Sequence, residues 1–530
     1  MGESSRRASI CGLTFMCAIA LVVRCMVALH PYSGAGISPM YGDYEAQRHW
    51  MELSIHLPVT EWYAEGKSNN LTYWGLDYPP LSGYQSWLFG KAIQALDADA
   101  VALHTSQGYE TQHSKFLMRL SVIASDLLVF FPAVLLCLRV FGGSKTLQER
   151  QWWLLMVLLQ PAAVLIDHGH FQYNNISLGF AAGAAGAIAA GHDCWGSLLF
   201  CLSLNHKQMS MYYAPAFFAH LLGKCLQRPT ALRKVGAIAK LGLVVVGTFA
   251  LCWAPFLSSL SSALQVLRRL TPLKRGLYED YLANFWCVSS PVFKWRRVYS
   301  QQALVKLCAG ASLAAALPSM LGQMRAPSAK GLLLGMANNS LAFFLFSYQV
   351  HEKSILLPLL PVSLLAFEEP VVAAWLPVWA TVSMYPLLKK DGLSVAYLAS
   401  LILWFAVAPG IVAKSTNTHT AGRSSNHIAT DDVGVEGGLQ SSTQGTLSGQ
   451  RCLHYLSLLS VLPAACIHAA QFAVEPPARY LHLYDAAYVT LAFVHIAATI
   501  VYLNVRQHEV TRTALADLGD KALQIKAVKD

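Results

Sequence analysis

Two acidic motifs lie close together near the start of the chain: Gly42-Asp43-Tyr44-Glu45-Ala46-Gln47-Arg48-His49-Trp50 and Trp74-Gly75-Leu76-Asp77-Tyr78-Pro79-Pro80. Carboxylates set beside His and Arg, in a loop that follows an apolar run, are the residue types needed for general-base chemistry at a bilayer surface. Further polar clusters follow: Asp167-His168-Gly169-His170-Phe171-Gln172-Tyr173-Asn174, Asn205-His206-Lys207-Gln208-Met209, Arg275-Gly276-Leu277-Tyr278-Glu279-Asp280 and Gln349-Val350-His351-Glu352-Lys353. Imidazole combined with ammonium makes an anion clamp, so His351, Glu352, Lys353 and the His206-Lys207 pair are candidates to hold a phosphate. Snorkelling of the lysines to headgroups is the alternative.

Each feature also has a structural reading. Asp43 follows Gly42 where a helix would begin, so it can serve as a capping residue. Glu45, Arg48, His49 and Glu52 have helical spacing and are expected to form surface pairs. Asp77 precedes Tyr78-Pro79-Pro80, which forces extended backbone, and it can be a turn former or a rigidly held functional group. His168 and His170, with Asp167, look like metal ligands, but residues two apart on a helix diverge and helical zinc pairs sit three or four apart. No metal or cofactor site is read here. Arg119 and Asp126 are seven apart and share a helix face. Intramembrane charges cost roughly 2.5–3.5 kcal/mol each, so these two should face the interior, where they line a pathway or brace helices. Arg24 is expected to snorkel to headgroups.

The elements that position these groups belong to a membrane protein. Of 530 residues 55% are hydrophobic and 13% charged, and the mean hydropathy is +0.40, too apolar for a soluble globular domain. Runs long enough to approach a span cover 10–29, 116–141, 152–166, 176–190, 195–204, 209–222, 235–257, 304–321, 331–348, 355–367, 371–388, 395–413, 452–472 and 486–505. The expectation is an all-α polytopic membrane protein with about fourteen transmembrane helices. The net charge of +10 comes mainly from Lys and Arg in short gaps between these runs, where they set orientation, so no nucleic-acid partner is expected. Placing Arg6 and Arg7 in the cytosol puts most other basic gaps there too. Two basic segments fall outside, Lys389-Lys390 and the stretch holding Arg268, Arg269, Lys274, Arg275, Lys294, Arg296 and Arg297. The second is a candidate to bind something anionic. Every polar cluster named above sorts to this non-cytosolic side. The twelve cysteines show no paired spacing and read as small core residues.

The predicted organisation is a catalytic membrane region over 1–413 with a long non-cytosolic loop over 30–113, a disordered cytosolic insertion over 414–451 rich in Ser, Thr and Gly, a helix pair over 452–505 and a cytosolic tail over 506–530. Trp50, Trp62, Tyr63 and Trp74 suit the loop to the headgroup belt. Asn70-Leu71-Thr72 is a glycosylation sequon within it.

Six motifs in order carry a resemblance: Gly42 to Glu52, Tyr73 to Leu81, His168 to Asn174, Lys207-Gln208-Met209, Ala283-Asn284-Phe285-Trp286-Cys287 and His351 to Ile355. Together they resemble the dolichyl-phosphate-glucose-dependent glucosyltransferases of the endoplasmic reticulum, over about Met1 to Leu388. Glu45-Ala46-Gln47-Arg48-His49 and Trp74-Gly75 resemble the branch that adds the first glucose of the lipid-linked oligosaccharide, rather than the sister branch that adds the second. The resemblance implies a glycosyltransferase C-type fold, interfacial helices in the first luminal loop, and an active site facing the lumen. It implies dolichyl-phosphate glucose as donor, dolichyl-pyrophosphate Man9GlcNAc2 as acceptor, and an inverting transfer in α-1,3 linkage.

On that reading Asp43 is the base and Asp77 orients the acceptor or the surroundings of Asp43. Glu45, Arg48, His168, His170, Lys207, Gln208, Arg275, His351, Glu352 and Lys353 bind substrate. A sugar hydroxyl is about twelve pK units less acidic than a carboxylic acid, about 16 kcal/mol, so proton transfer has to accompany attack. Retention would need a second carboxylate as nucleophile, and Asp77 or Glu45 stays open for that role. A polytopic lipid transporter is the alternative class, but transporters place their sites near mid-membrane, whereas these motifs gather at one interface.

Overall fold

The computed structural model describes residues 3–271, 276–408 and 459–527. Within them the chain is helical, and the only β pairing is two isolated bridges, Gly66 with Asn69 and Tyr278 with Val350. Six helices are long and apolar enough to cross a membrane, and seven if a pair bent by 44° forms one span. The first, α1 (Glu3–Ala28), leads into the opening loop. That loop carries α2 (Asp43–His56) and α3 (Pro80–Leu96), the latter started by Pro80 at its first position, where the missing N–H costs nothing.

Beyond the loop, α4 (Gln112–Phe141) is long enough to span and contains a π-helical turn at Asp126–Phe130. The bent pair is α5 (Leu147–Leu158) and α6 (Pro161–Phe171), which ends in a second π-helical segment at Leu165–Phe171. Next comes α7 (Asn174–Ala189). It and the two helices after it, Asp193–His206 and Ala214–Leu226, have 16, 14 and 13 residues. At 1.5 Å per residue they reach about 20–24 Å, short of the ~30 Å hydrocarbon core. This is why apolar runs outnumber span-length helices. Proline and π-helical interruptions cut the runs into short, buried pieces. The insertion expected over 414–451 lies outside the described residues.

Arg24 does not snorkel. It is fully buried in the bundle, where its Nε donates to Asp126 Oδ2 at 2.5 Å and one terminal nitrogen donates to the Leu158 carbonyl at 2.7 Å. Asp126 also accepts from His168 Nε2 at 3.0 Å and from the Asn175 side-chain amide. Arg119 caps the carbonyls of His168 and Gly169, at 2.5 and 2.8 Å, and reaches that of Pro31 at 3.2 Å. Of the two roles open to Arg119 and Asp126, the geometry is that of bracing.

Replacing Arg24 by Met leaves Asp126 charged among apolar helices, and breaking one side of a buried pair costs about 3–5 kcal/mol. Detergent-solubilised Arg24→Met protein should melt well below the parent, with Arg24→Lys intermediate. An unchanged melting temperature would remove the brace from this account.

Candidate active site

Asp43 is the first residue of α2, and the cap position belongs to Gly42, which makes no side-chain cap bond. The carboxylate turns instead to a cluster assembled from distant parts of the chain. Its Oδ2 accepts from His170 Nε2 at 2.8 Å, Gln172 Nε2 at 2.5 Å and Lys353 Nζ at 2.6 Å. Among the described residues nothing bonds its Oδ1, and the side chain keeps 19% exposure. Burial by itself would raise the Asp43 pKa, but Lys353 and then His170 outweigh it and hold the carboxyl well below its usual range.

Backbone geometry explains how residues 170 and 172 share one oxygen. An unbroken helix would send them to different faces. Phe171 lies between them with φ of 87°, a left-handed conformation that a non-glycine residue takes at a cost of order 1–3 kcal/mol. It ends the π-helical segment and brings both side chains onto Asp43.

Two arms lead away from this oxygen. His170 Nδ1 donates to Asp391 Oδ2 at 2.5 Å, so a carboxylate meets each ring nitrogen. Gln172 Oε1 accepts from Lys207 Nζ at 2.8 Å, which also donates to Asn174 Oδ1 at 2.6 Å. The Asn174 amide in turn donates to Asp167 Oδ1 at 2.7 Å. Burial lowers the Lys207 pKa to about 8, opposed by Asp167, Asp43 and Asp77. For Lys353, burial also lowers the pKa, but Asp43 and Glu352 more than compensate and raise it to about 12.

The second acidic motif touches the same cluster from the side. Lys207 Nζ stands 4.6 Å from the centre of the Tyr78 ring, and Gln208 donates to the Asp77 carbonyl at 3.0 Å. His351 pairs with Glu279 at 2.7 Å and lies 4.0 Å from Glu352. Main-chain bonds between 277–279 and 349–350 hold that pair in place. Arg275 lies outside the described residues.

Glu45 and Arg48 do not make the surface pairs expected from their spacing. Arg48 is buried and bonds Glu45 at 2.6 Å and Glu52 at 2.8 Å, and it also donates to Ser106 Oγ. Tyr73 OH donates to Glu45 from the second motif. The indoles fasten the two motifs further. Trp50 donates to the Trp74 carbonyl at 2.7 Å, and Trp74 donates to that of Met40 at 2.5 Å. Arg269, from the basic segment read as a binder of anions, donates to the carbonyls of Gly75 and Leu76.

His168 and His170 part company, one bonded to Asp126 and the other to Asp43 and Asp391. Sequence reasoning assigned no role to Gln172, Asn174 or Asp391. The first two lie within a motif it had singled out. Asp391 follows Lys389-Lys390, which the charge pattern of the sequence put on the same side as the other clusters, and that expectation was the available signal.

Residues 20–502 match the model of the ALG6, ALG8 glycosyltransferase family. The chain belongs to this family. It is 42% identical over 499 residues to the probable dolichyl pyrophosphate Man9GlcNAc2 alpha-1,3-glucosyltransferase of Arabidopsis thaliana, covering 93% of this chain and 89% of the relative. It is 40% identical over 500 residues to the dolichyl pyrophosphate Man9GlcNAc2 alpha-1,3-glucosyltransferase of Gallus gallus, covering 93% and 96%. The probable enzyme of that name from Dictyostelium discoideum is 41% identical over 508 residues, covering 95% and 96%. The protein is a membrane glycosyltransferase of the ALG6, ALG8 family, and the likeness runs past Leu388 into the final span-length helix, further than the motifs alone suggested.

The opening loop of this family member has a built-in acid limit. Burial would raise the Glu52 pKa, but His49 and Arg48 bring it to about 2. A depressed carboxyl pKa contributes stability above the unfolded value and loses it as pH falls through the folded one. Protection factors of α2, each taken against the intrinsic exchange rate at that pH, should therefore fall as pH drops from about 4.5 towards 2. In Glu52→Gln they should already be low at neutral pH and vary less with acid. Equal protection in both proteins at pH 7 would refute this role.

Proposed function

We propose that this glycosyltransferase transfers the first glucose from dolichyl-phosphate glucose to dolichyl-pyrophosphate Man9GlcNAc2, forming an α-1,3 linkage by a single inverting displacement. The observation that carries the mechanism is the asymmetry of Asp43, one oxygen saturated by three donors and the other open. The acceptor hydroxyl hydrogen-bonds to Oδ1 and attacks the anomeric carbon. The bond from that carbon to the phosphate oxygen breaks, its electron pair leaves with dolichyl phosphate, and the hydroxyl proton passes to Oδ1 as the new bond forms. Dolichyl phosphate departs as an anion, so no general acid is required.

The same asymmetry makes Asp43 a weak base while Lys353 is bound to it. An incoming donor phosphate competes for Lys353, with His351, Lys207 and Arg275 as further candidates to hold it and Glu352 to orient His351 or Lys353. Drawing Lys353 away removes the largest depressing influence on Asp43 and strengthens the base when substrate is in place. Asp77 orients the acceptor, while Glu45, Arg48 and His168 keep the loop and the turn in position. The likeness in name of the relatives and the position of the motifs at one interface support a multi-pass protein of the endoplasmic reticulum membrane with this site towards the lumen. The shorter apolar helices complete about fourteen crossings in a glycosyltransferase C-type fold.

Microsomes bearing the chain, supplied with dolichyl-phosphate glucose and unglucosylated lipid-linked oligosaccharide, should form the monoglucosylated product. Asp43→Asn should lower the rate by about 10²- to 10⁴-fold, the usual range for a general base. Full transfer by the Asn form would remove Asp43 as base. Transfer to the monoglucosylated acceptor alone would assign the chain to the second glucose.

A further inference from the structure

We infer that Asp391 is a positioning residue for glycosyl transfer, acting through His170 to fix which oxygen of Asp43 faces the acceptor. The inference rests on the reading of Asp43 as base. A free carboxylate presents two equivalent oxygens, and rotation about its last bond exchanges them. Here His170 Nε2 is bound to Oδ2, and the ring is held at its other nitrogen by Asp391. An imidazole anchored at one nitrogen only can turn. One bonded to a carboxylate at each nitrogen has its plane and direction set. The other two donors on Oδ2 are less constrained: Lys353 is a flexible side chain that also lies 3.2 Å from His170 Nε2, and Gln172 is an amide shared with Lys207.

The surroundings of Asp391 fit a dedicated acceptor. It ends the short helix Tyr385–Lys390, its main-chain N–H bonds the Leu387 carbonyl, and its side chain is 4% exposed. Gly392 follows with φ of 73°, a left-handed turn that returns the chain as Leu393. Leu393 packs onto Gly169, the residue between the two histidines, where a β-carbon would meet its methyl groups at 3.0 and 3.2 Å. The turn carrying Asp391 is thus seated directly on the turn carrying His170. Among the described residues the side-chain hydrogen bond of Asp391 is to the ring that touches the base.

The test is a double-mutant cycle in the microsomal transfer assay with dolichyl-phosphate glucose and unglucosylated oligosaccharide. Asp391→Asn should lower kcat by about 10- to 100-fold, the range seen when a carboxylate that orients a metal-binding histidine is lost. KM for both lipid substrates should stay within about twofold. Asp391→Glu, which keeps the acceptor, should recover part of the rate. In a His170→Gln background Asp391→Asn should cost less than about twofold, because the residue through which it acts is gone. Where Asp391→Asn does not accumulate in the membrane, Asp391→Glu carries the same cycle. Equal losses in both backgrounds, or a change in KM alone, would overturn the inference. If those results come with an inactive Asp43→Asn protein, only the role of Asp391 falls. An active Asp43→Asn protein defeats the base reading itself.

Discussion

A carboxylate inside an apolar helix bundle has to be neutralised by fixed partners, and the fold beneath the site is arranged around that need at Asp126. Its partners come from three other elements: Arg24 from α1, His168 from α6 and Asn175 from α7. Loss of Arg24 removes the guanidinium counterion, and loss of His168 or Asn175 removes a buried hydrogen bond to the same carboxylate, which is why such clusters tolerate so little movement. The consequence for the site is directional. With His168 committed downward to Asp126, the chain passes through Gly169 and presents His170 on the other side. Arg119, about two turns earlier on α4, holds the carbonyls of both His168 and Gly169. The same helix therefore grips the turn at its side chain and at its backbone.

Above that foundation the charges are arranged in sequence rather than in pairs. Asp391, His170, Asp43 and Lys353 form one line, and Asp43, Gln172, Lys207, Asn174 and Asp167 form another. Both lines meet at Oδ2, and each has a buried carboxylate at its far end, Asp391 in the first and Asp167 in the second. Such chains of bonds polarise one another and behave as units, so Asp43 responds to changes several residues away.

The membrane class and the chemistry-bearing motifs were legible in the sequence because they depend on residue type and local order. The wiring was not. Asp43 and Lys353 are 310 positions apart, and His170 and Asp391 are 221 apart; only packing brings them together. Local rules misled where tertiary contacts overrode them. Asp43 fits the start of a helix yet leaves the cap to Gly42. Arg24 has the length to reach headgroups yet is held inside by Asp126. Glu45 and Arg48 have the spacing of a surface pair, but the loop folds over them. Helical divergence separated His168 from His170 correctly, while the left-handed Phe171 let His170 and Gln172 converge where the same rule forbade it.

The contact between Gly169 and Leu393 extends beyond its immediate geometry. The two residues lie far apart in the chain, and each limits the volume the other can occupy, so drift at one is admissible only with compensation at the other. A lineage that gained a β-carbon at 169 would need a smaller residue at 393, and its site would survive the exchange only if both steps occurred close together. Paired variation at these positions would thus record the history of the junction between the turns, in residues that take no part in the chemistry.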